Sequence, residues 1–185
     1  MTLDLDRTLL LPIDMQRGFD QPDWPRRWNE RVDDNGLALL QRWRETGRPI
    51  IHVRHDSIEE TSTLRPGQPG NVFRPGFEPR DGEQMIAKSV NSAFIGTDLD
   101  LRLKRLGTRH ILTFGISTDM CVSTTIRTGA NLGWDMLLAE DACDCFDLPD
   151  RHGGTIPAEA VHATHVATLA FEFCRVATTA ELLAL

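Results

Sequence analysis

The chain has 185 residues, 41% hydrophobic and 25% charged, a balance that supports one domain with a sizeable core and excludes a disordered chain. Its 27 acidic residues outnumber 20 basic ones, for a formal charge of -7, which argues against a nucleic-acid partner because phosphates need a basic face. No run approaches the roughly 20 apolar residues that cross a bilayer, which argues against a membrane partner.

Asp4 and Asp6 stand ahead of the first apolar run, where a secretory leader would carry basic residues, so a cytoplasmic location is expected. Residues 8–13 (TLLLPI) read as a buried strand. Val32, Leu39, Leu40 and Trp43 then recur at helical spacing and Gly47 supplies a stop, which predicts a helix over about residues 30–47. Residues 49–54 (PIIHVR) form the second predicted strand. Residues 55–84 make a long polar connection broken by Pro and Gly, a length that points to a lid over a site or an arm toward a partner subunit. A short strand over 85–88 follows, and Thr97 can cap a helix beginning at Asp98, where Asp98 and Asp100 suit the positive end. Residues 110–115 (HILTFG) form a buried strand that leads into a helix through about residue 132. Residues 134–140 (WDMLLAE) form another strand, Pro157 opens a helix to about residue 173, and a strand over 175–178 precedes a short last helix. This alternation predicts one three-layer α/β/α domain over residues 1–185, with a mainly parallel, Rossmann-like sheet of six strands and right-handed crossovers.

Ligands of such sheets bind beyond the carboxyl ends of the strands. Asp14 follows the first strand, Lys88 ends the third, and Cys121 lies in GISTDMCV (residues 115–122) after the fourth, so all three fall at that edge. Of the 20 basic residues, 18 are Arg. Lys104 sits among Arg102 and Arg105 on a solvated helical face, whereas Lys88 stands alone beside an apolar stretch, where a compact ammonium serves purposes a guanidinium does not. Cys121 is expected in the first turn of a helix. Free N–H groups and the helix dipole there favour a thiolate, depress the thiol's pKa and can hold an oxyanion. The competing reading is a buried cysteine with Thr118 as the helix cap.

Cys143, Cys145 and Cys174 read as reduced, buried thiols, and the spacing of the first two is not that of a zinc site. His52 alternates with apolar neighbours and reads as structural. His55 and Asp56 read as loop hydrogen-bonding groups or pocket lining, and His162 and His165 share a helix face. No metal or other cofactor is expected, and neither nucleotide-binding glycine motif occurs. Phe19, Trp24, Trp28 and Phe94 are candidate walls of an apolar pocket. Arg17, Arg54 and Arg74 are candidate anchors for a substrate carboxylate.

Four segments together resemble the isochorismatase-like cysteine hydrolases: LLPIDMQRGF (10–19), AKSVNSAFIGTDLDLRLKRLG (87–107), GISTDMCVSTTIRTGANLGWD (115–135) and AEDACDCF (139–146). The resemblance spans most of the chain. It implies a catalytic triad of Asp14, Lys88 and Cys121, a cis peptide between Ile116 and Ser117, and an oxyanion hole made by the backbone N–H groups of Ser117 and Cys121. It implies hydrolysis of a carbon–nitrogen bond in a small amide or ureido substrate through a thioester, by a homodimer or homotetramer. The nicotinamidase branch binds a metal with an Asp and two His after the second strand, and IHVRHDS (51–57) lacks that pattern. The namesake enzymes act on a vinyl ether without a cysteine nucleophile, so Cys121 favours an amide. Two alternatives stay open: vinyl-ether hydrolysis with Asp14 as the acid, and a binding protein that keeps the pocket without catalysis.

Overall fold

Thr8–Ile13 (β1) is buried at every position, as a strand covered on both faces must be. The computed structural model describes residues 5–185, and Asp4 lies outside them. The further strands are Ile51–His55 (β2), Gln84–Lys88 (β3), His110–Ile116 (β4), Asp135–Asp144 (β5), the two-residue pair Leu148–Pro149 (β6) and Thr155–Ile156 (β7), and Cys174–Ala177 (β8). Six of them form one sheet in the order β3-β2-β1-β4-β5-β8, every pairing parallel, while β6 and β7 form a small antiparallel hairpin. The helices are Val32–Glu45 (α1), Leu99–Arg105 (α2), Ser123–Asn131 (α3), Ala158–Glu172 (α4) and Thr179–Leu183 (α5). α1 and α5 pack together against β5, and α3 and α4 form a second packed pair against β5 and β8. The apolar stripe of α1 (Val32, Leu39, Leu40, Trp43) is buried, and Trp43 Nε1 donates to the Thr8 carbonyl at 3.0 Å, which ties that helix to the start of β1. No helix among the described residues is long and apolar enough to cross a membrane.

The chain runs from β1 outward to β2 and β3, then returns to lay β4 on the other side of β1. That reversal opens a crevice at the carboxyl ends of β1 and β4. Gly115 makes the close approach possible. It sits at φ 136°, and a Cβ there would collide with the Ile13 carbonyl oxygen. The β4–β5 register shifts between Thr113 and Gly115, after which Cys143 and Asp144 resume the pairing. This break carries β5 to Asp144, beyond the strand predicted over 134–140, and delivers residues 146–149 to the crevice.

The connection between β2 and β3 is tied down rather than loose. Leu64, Phe73 and Phe77 are buried, and Asn71 Nδ2 donates to the carbonyls of His55 (3.1 Å) and Leu64 (2.7 Å). Gln16 Nε2 donates to the carbonyls of both His55 (3.0 Å) and Asn71 (2.8 Å). Ser62 and Leu64 of this connection line the crevice.

All four cysteines are free thiols. Cys143 and Cys145 are fully buried and donate to the carbonyls of Ala139 (3.4 Å) and Ala158 (3.1 Å). Burial pushes both thiols up, Cys145 to about 12. A pKa raised on folding contributes stability that is full below the unfolded thiol's value, near 8.5, and is lost as pH climbs toward the folded value. The urea midpoint is therefore expected to fall between about pH 8.5 and 11, and to fall less in Cys145→Ala. A midpoint independent of pH across that window would contradict this account.

Candidate active site

Asp14 leaves β1 with φ 53°, in the left-handed region that few residues other than glycine adopt, at a cost of about 1 kcal/mol. Its N–H donates to the Val53 carbonyl (2.9 Å) and its carbonyl accepts from the Gln16 N–H (2.8 Å), so neighbours on both sides hold the turn. The side chain is fully buried, and its Oδ2 accepts from Lys88 Nζ at 2.5 Å. Lys88 reaches there from β3, two strands away, and is fully buried too. The same ammonium lies 3.3 Å from Cys121 Sγ and donates to His55 Nδ1 at 3.2 Å. Asp14 Oδ1 is buried with no hydrogen-bond partner. The Asp14, His55 and Cys121 heteroatoms all fall within 4.8 Å of one another. The three sequence candidates Asp14, Lys88 and Cys121 thus meet around one ammonium.

Burial opposes the charge on Lys88, but attraction to Asp14 and then to Cys121 outweighs it and holds the lysine above its ordinary range. Burial, together with the charge on Lys88, lowers the pKa of His55 below its ordinary value. Cys121 corrects an expectation. Burial first, then the charge of Asp14, push its thiol above the ordinary range, with Lys88 opposing. Residues 118–122 form a single wide turn, closed by Val122 N–H donating to the Ser117 carbonyl at 3.1 Å, and α3 begins only at Ser123. This turn runs directly into α3, so Cys121 lies in the first turn of that helical segment, as the sequence predicts, but the position does not lower its thiol against burial and Asp14. Thr118 is not a cap: its hydroxyl donates to the Asp144 carbonyl (3.3 Å) and pairs with His162 Nδ1 (3.0 Å). The Ile116–Ser117 peptide that precedes this turn is cis.

Cys121 opens onto a cavity of about 300 Å³, whose wall also includes Ser117 and His55. Phe19 and Trp24 line it, and Phe146 completes an aromatic trio with ring centroids 4.8 to 6.1 Å apart. Phe94 lies outside it, against Gly129 of α3, because the chain after Lys88 turns away to pack on that helix. Trp28 is elsewhere too, 4.6 Å from the His162 ring. Arg54 is engaged by Asp56 (2.7 Å), and buried Arg74 by Asp33 (2.7 Å) and Asp20 (2.6 Å), so neither is free to anchor a substrate carboxylate. Arg17 is exposed and outside the wall. His52 is a buried core group, paired with Glu83 at 2.8 Å.

Sequence reasoning missed Phe146, Leu64, Asp119 and Asn91 as wall residues, the last with Oδ1 3.8 Å from Cys121 Sγ. Asn91 carried a usable signal, three residues beyond Lys88; Leu64 carried none.

The Asp14, His55 and Cys121 donors are close enough together to suggest a cation, but the Lys88 ammonium already stands 2.5, 3.2 and 3.3 Å from them. Asp56 is held by Arg54 and by Asn71 Nδ2 (3.0 Å). These residues do not fit the metal set of the nicotinamidase branch.

Residues 8–181 match the Isochorismatase domain family. An isochorismatase family protein of Bacillus subtilis is 35% identical over 178 residues, which is 96% of this chain and 95% of that protein. A solved structure of an isochorismatase-family protein from Chromobacterium violaceum is 47% identical, covers 100% of this chain and 95% of its own, and superposes with a TM-score of 0.95. A cysteine hydrolase from Pseudomonas syringae is 25% identical, with a TM-score of 0.87 over 98% of this chain and 93% of that one. Agreement over almost the whole length, in sequence and in the six-stranded parallel sheet alike, leaves one conclusion: this chain belongs to the isochorismatase family and is a hydrolase of that family.

Proposed function

We propose that this hydrolase cleaves the carbon–nitrogen bond of a small amide or ureido substrate through a thioester on Cys121. The observation that carries this reading is the buried Lys88 ammonium in contact with both the Asp14 carboxylate and the Cys121 sulfur, beside a cavity into which the sulfur opens. The relative from Pseudomonas syringae bears the name cysteine hydrolase, which agrees with it.

Asp14 takes the proton from the Cys121 thiol, and Lys88 offsets the negative charge that passes from oxygen to sulfur. The thiolate attacks the carbonyl carbon and the carbon–oxygen π electrons move to oxygen. The backbone N–H groups of Ser117 and Cys121 hold that oxyanion. Its collapse breaks the carbon–nitrogen bond, and the leaving nitrogen takes the proton from Asp14. Water then adds to the thioester, giving its proton to Asp14, and a second collapse releases the acid and returns the proton to sulfur. The chain supplies every proton step, and none is routed through a metal. Two or four copies are the expected assembly in solution.

The test is a panel of small amides and ureido acids scored by ammonia release, with intact-mass spectrometry of quenched reactions. An adduct of acyl mass on Cys121, together with ammonia, supports the reading. Turnover of an amide with no adduct at Cys121, and with Cys121 unlabelled by iodoacetamide, would refute it.

A further inference from the structure

Building on the thiol–amide reading, we infer that the substrate is an amide with a flat apolar body and no negative charge, and that Asp119 sets this charge preference. The aromatic trio of Phe19, Trp24 and Phe146 gives the cavity surfaces on which a flat body stacks. No Lys or Arg is among the described residues that line it; its charged side chains are Asp119 and Asp147. Asp147 is matched by Arg26 (2.9 Å) and accepts from the Ala158 N–H (2.8 Å). Asp119 has no such match, and its Oδ1 is buried without a hydrogen-bond partner.

The nearby cations are already engaged. Arg26 also pairs with Glu159 (2.7 Å), Arg27 pairs with Asp20 (2.8 Å) and Asp144 (3.6 Å), and Lys88 faces Asp14. A substrate carboxylate entering this cavity would lose its hydration, meet no unengaged cation and face the unmatched Asp119. A neutral body escapes that cost. A cationic one gains from Asp119 and from the aromatic faces.

The test uses the Cys121→Ala protein, which by this mechanism holds amides without cleaving them. Its affinities for benzamide, 4-(aminomethyl)benzamide and 4-carbamoylbenzoate are measured by titration calorimetry. The cationic amide is expected to bind at least as tightly as benzamide, and the anionic one at least about tenfold more weakly. Asp119→Asn on the same background is expected to narrow the cation-to-anion ratio by about tenfold, with Asp119→Ser as the second variant and circular dichroism as the folding check. Equal or tighter binding of the anion, an unchanged ratio in both variants, or no binding by any of the three would overturn the inference. Ammonia release by the wild-type protein reads the underlying chemistry separately. The expected binding order without hydrolysis or acyl-enzyme would sink the thiol–amide reading alone, and fastest hydrolysis of the anion would sink the charge preference alone.

Discussion

Cys121→Ala is expected to lose amide turnover by at least about 10⁴-fold while folding as the wild type does. The side chain borders the cavity, so its loss leaves little new void, and Lys88 keeps its 2.5 Å contact with Asp14. Stability should change by less than about 1 kcal/mol. Cys121→Ser should be nearly as inactive, because a hydroxyl is harder than a thiol for a single carboxylate to activate. Ammonia release and a urea curve check the two halves of this expectation. The experiment also separates the vinyl-ether alternative, in which Asp14 acts as an acid and the sulfur is a bystander. Vinyl-ether hydrolysis that survives Cys121→Ala would favour that chemistry over the thioester route.

The second large effect concerns the ion pair itself. Lys88→Met is expected to abolish activity and to cost about 3–5 kcal/mol of stability, because it leaves a fully buried carboxylate without its partner. Replacing both partners, Asp14→Asn (a residue that tolerates the left-handed φ of 53°) with Lys88→Met, should restore most of the stability and none of the activity. A buried ion pair is weak as a stabilising device, since desolvation consumes most of the Coulombic attraction. Recovery in the double variant would identify the pair as kept for chemistry. A double variant as unstable as Lys88→Met would show instead that the pair holds the fold together. Denaturation curves of the four proteins form a double-mutant cycle that reads the coupling directly.

The strands were legible because parallel strands buried on both faces are continuous apolar runs, and the helices because their buried stripes recur at 3.6 residues. The site edge was legible by the same logic: Asp14, Lys88 and Cys121 each follow or end a strand, and parallel strands bring such residues to one side. The aromatic walls were only half legible. Phe94 and Phe146 stand alike beside their strands in the sequence, yet one packs on Gly129 and the other faces the cavity. That choice depends on the extension of β5 past the register break at Gly115, which no local pattern announces. Arg74 was misread as a substrate anchor because its partners, Asp20 and Asp33, are 54 and 41 residues away.

By itself, then, the sequence determined the layered α/β architecture, the family and the three reactive groups at one sheet edge, since each rests on short-range periodicity or on contiguous segments. The tertiary structure decided the electrostatic surroundings of Cys121, the occupation of the would-be cation position by Lys88, and which aromatic rings face the cavity. The reason is that electrostatics and packing act between groups close in space, and the groups concerned come from β1, β3, β4 and β5, far apart along the chain. A local reading of the turn after β4 favours a thiolate, whereas burial, together with a carboxylate 107 positions earlier, pushes the thiol's pKa up.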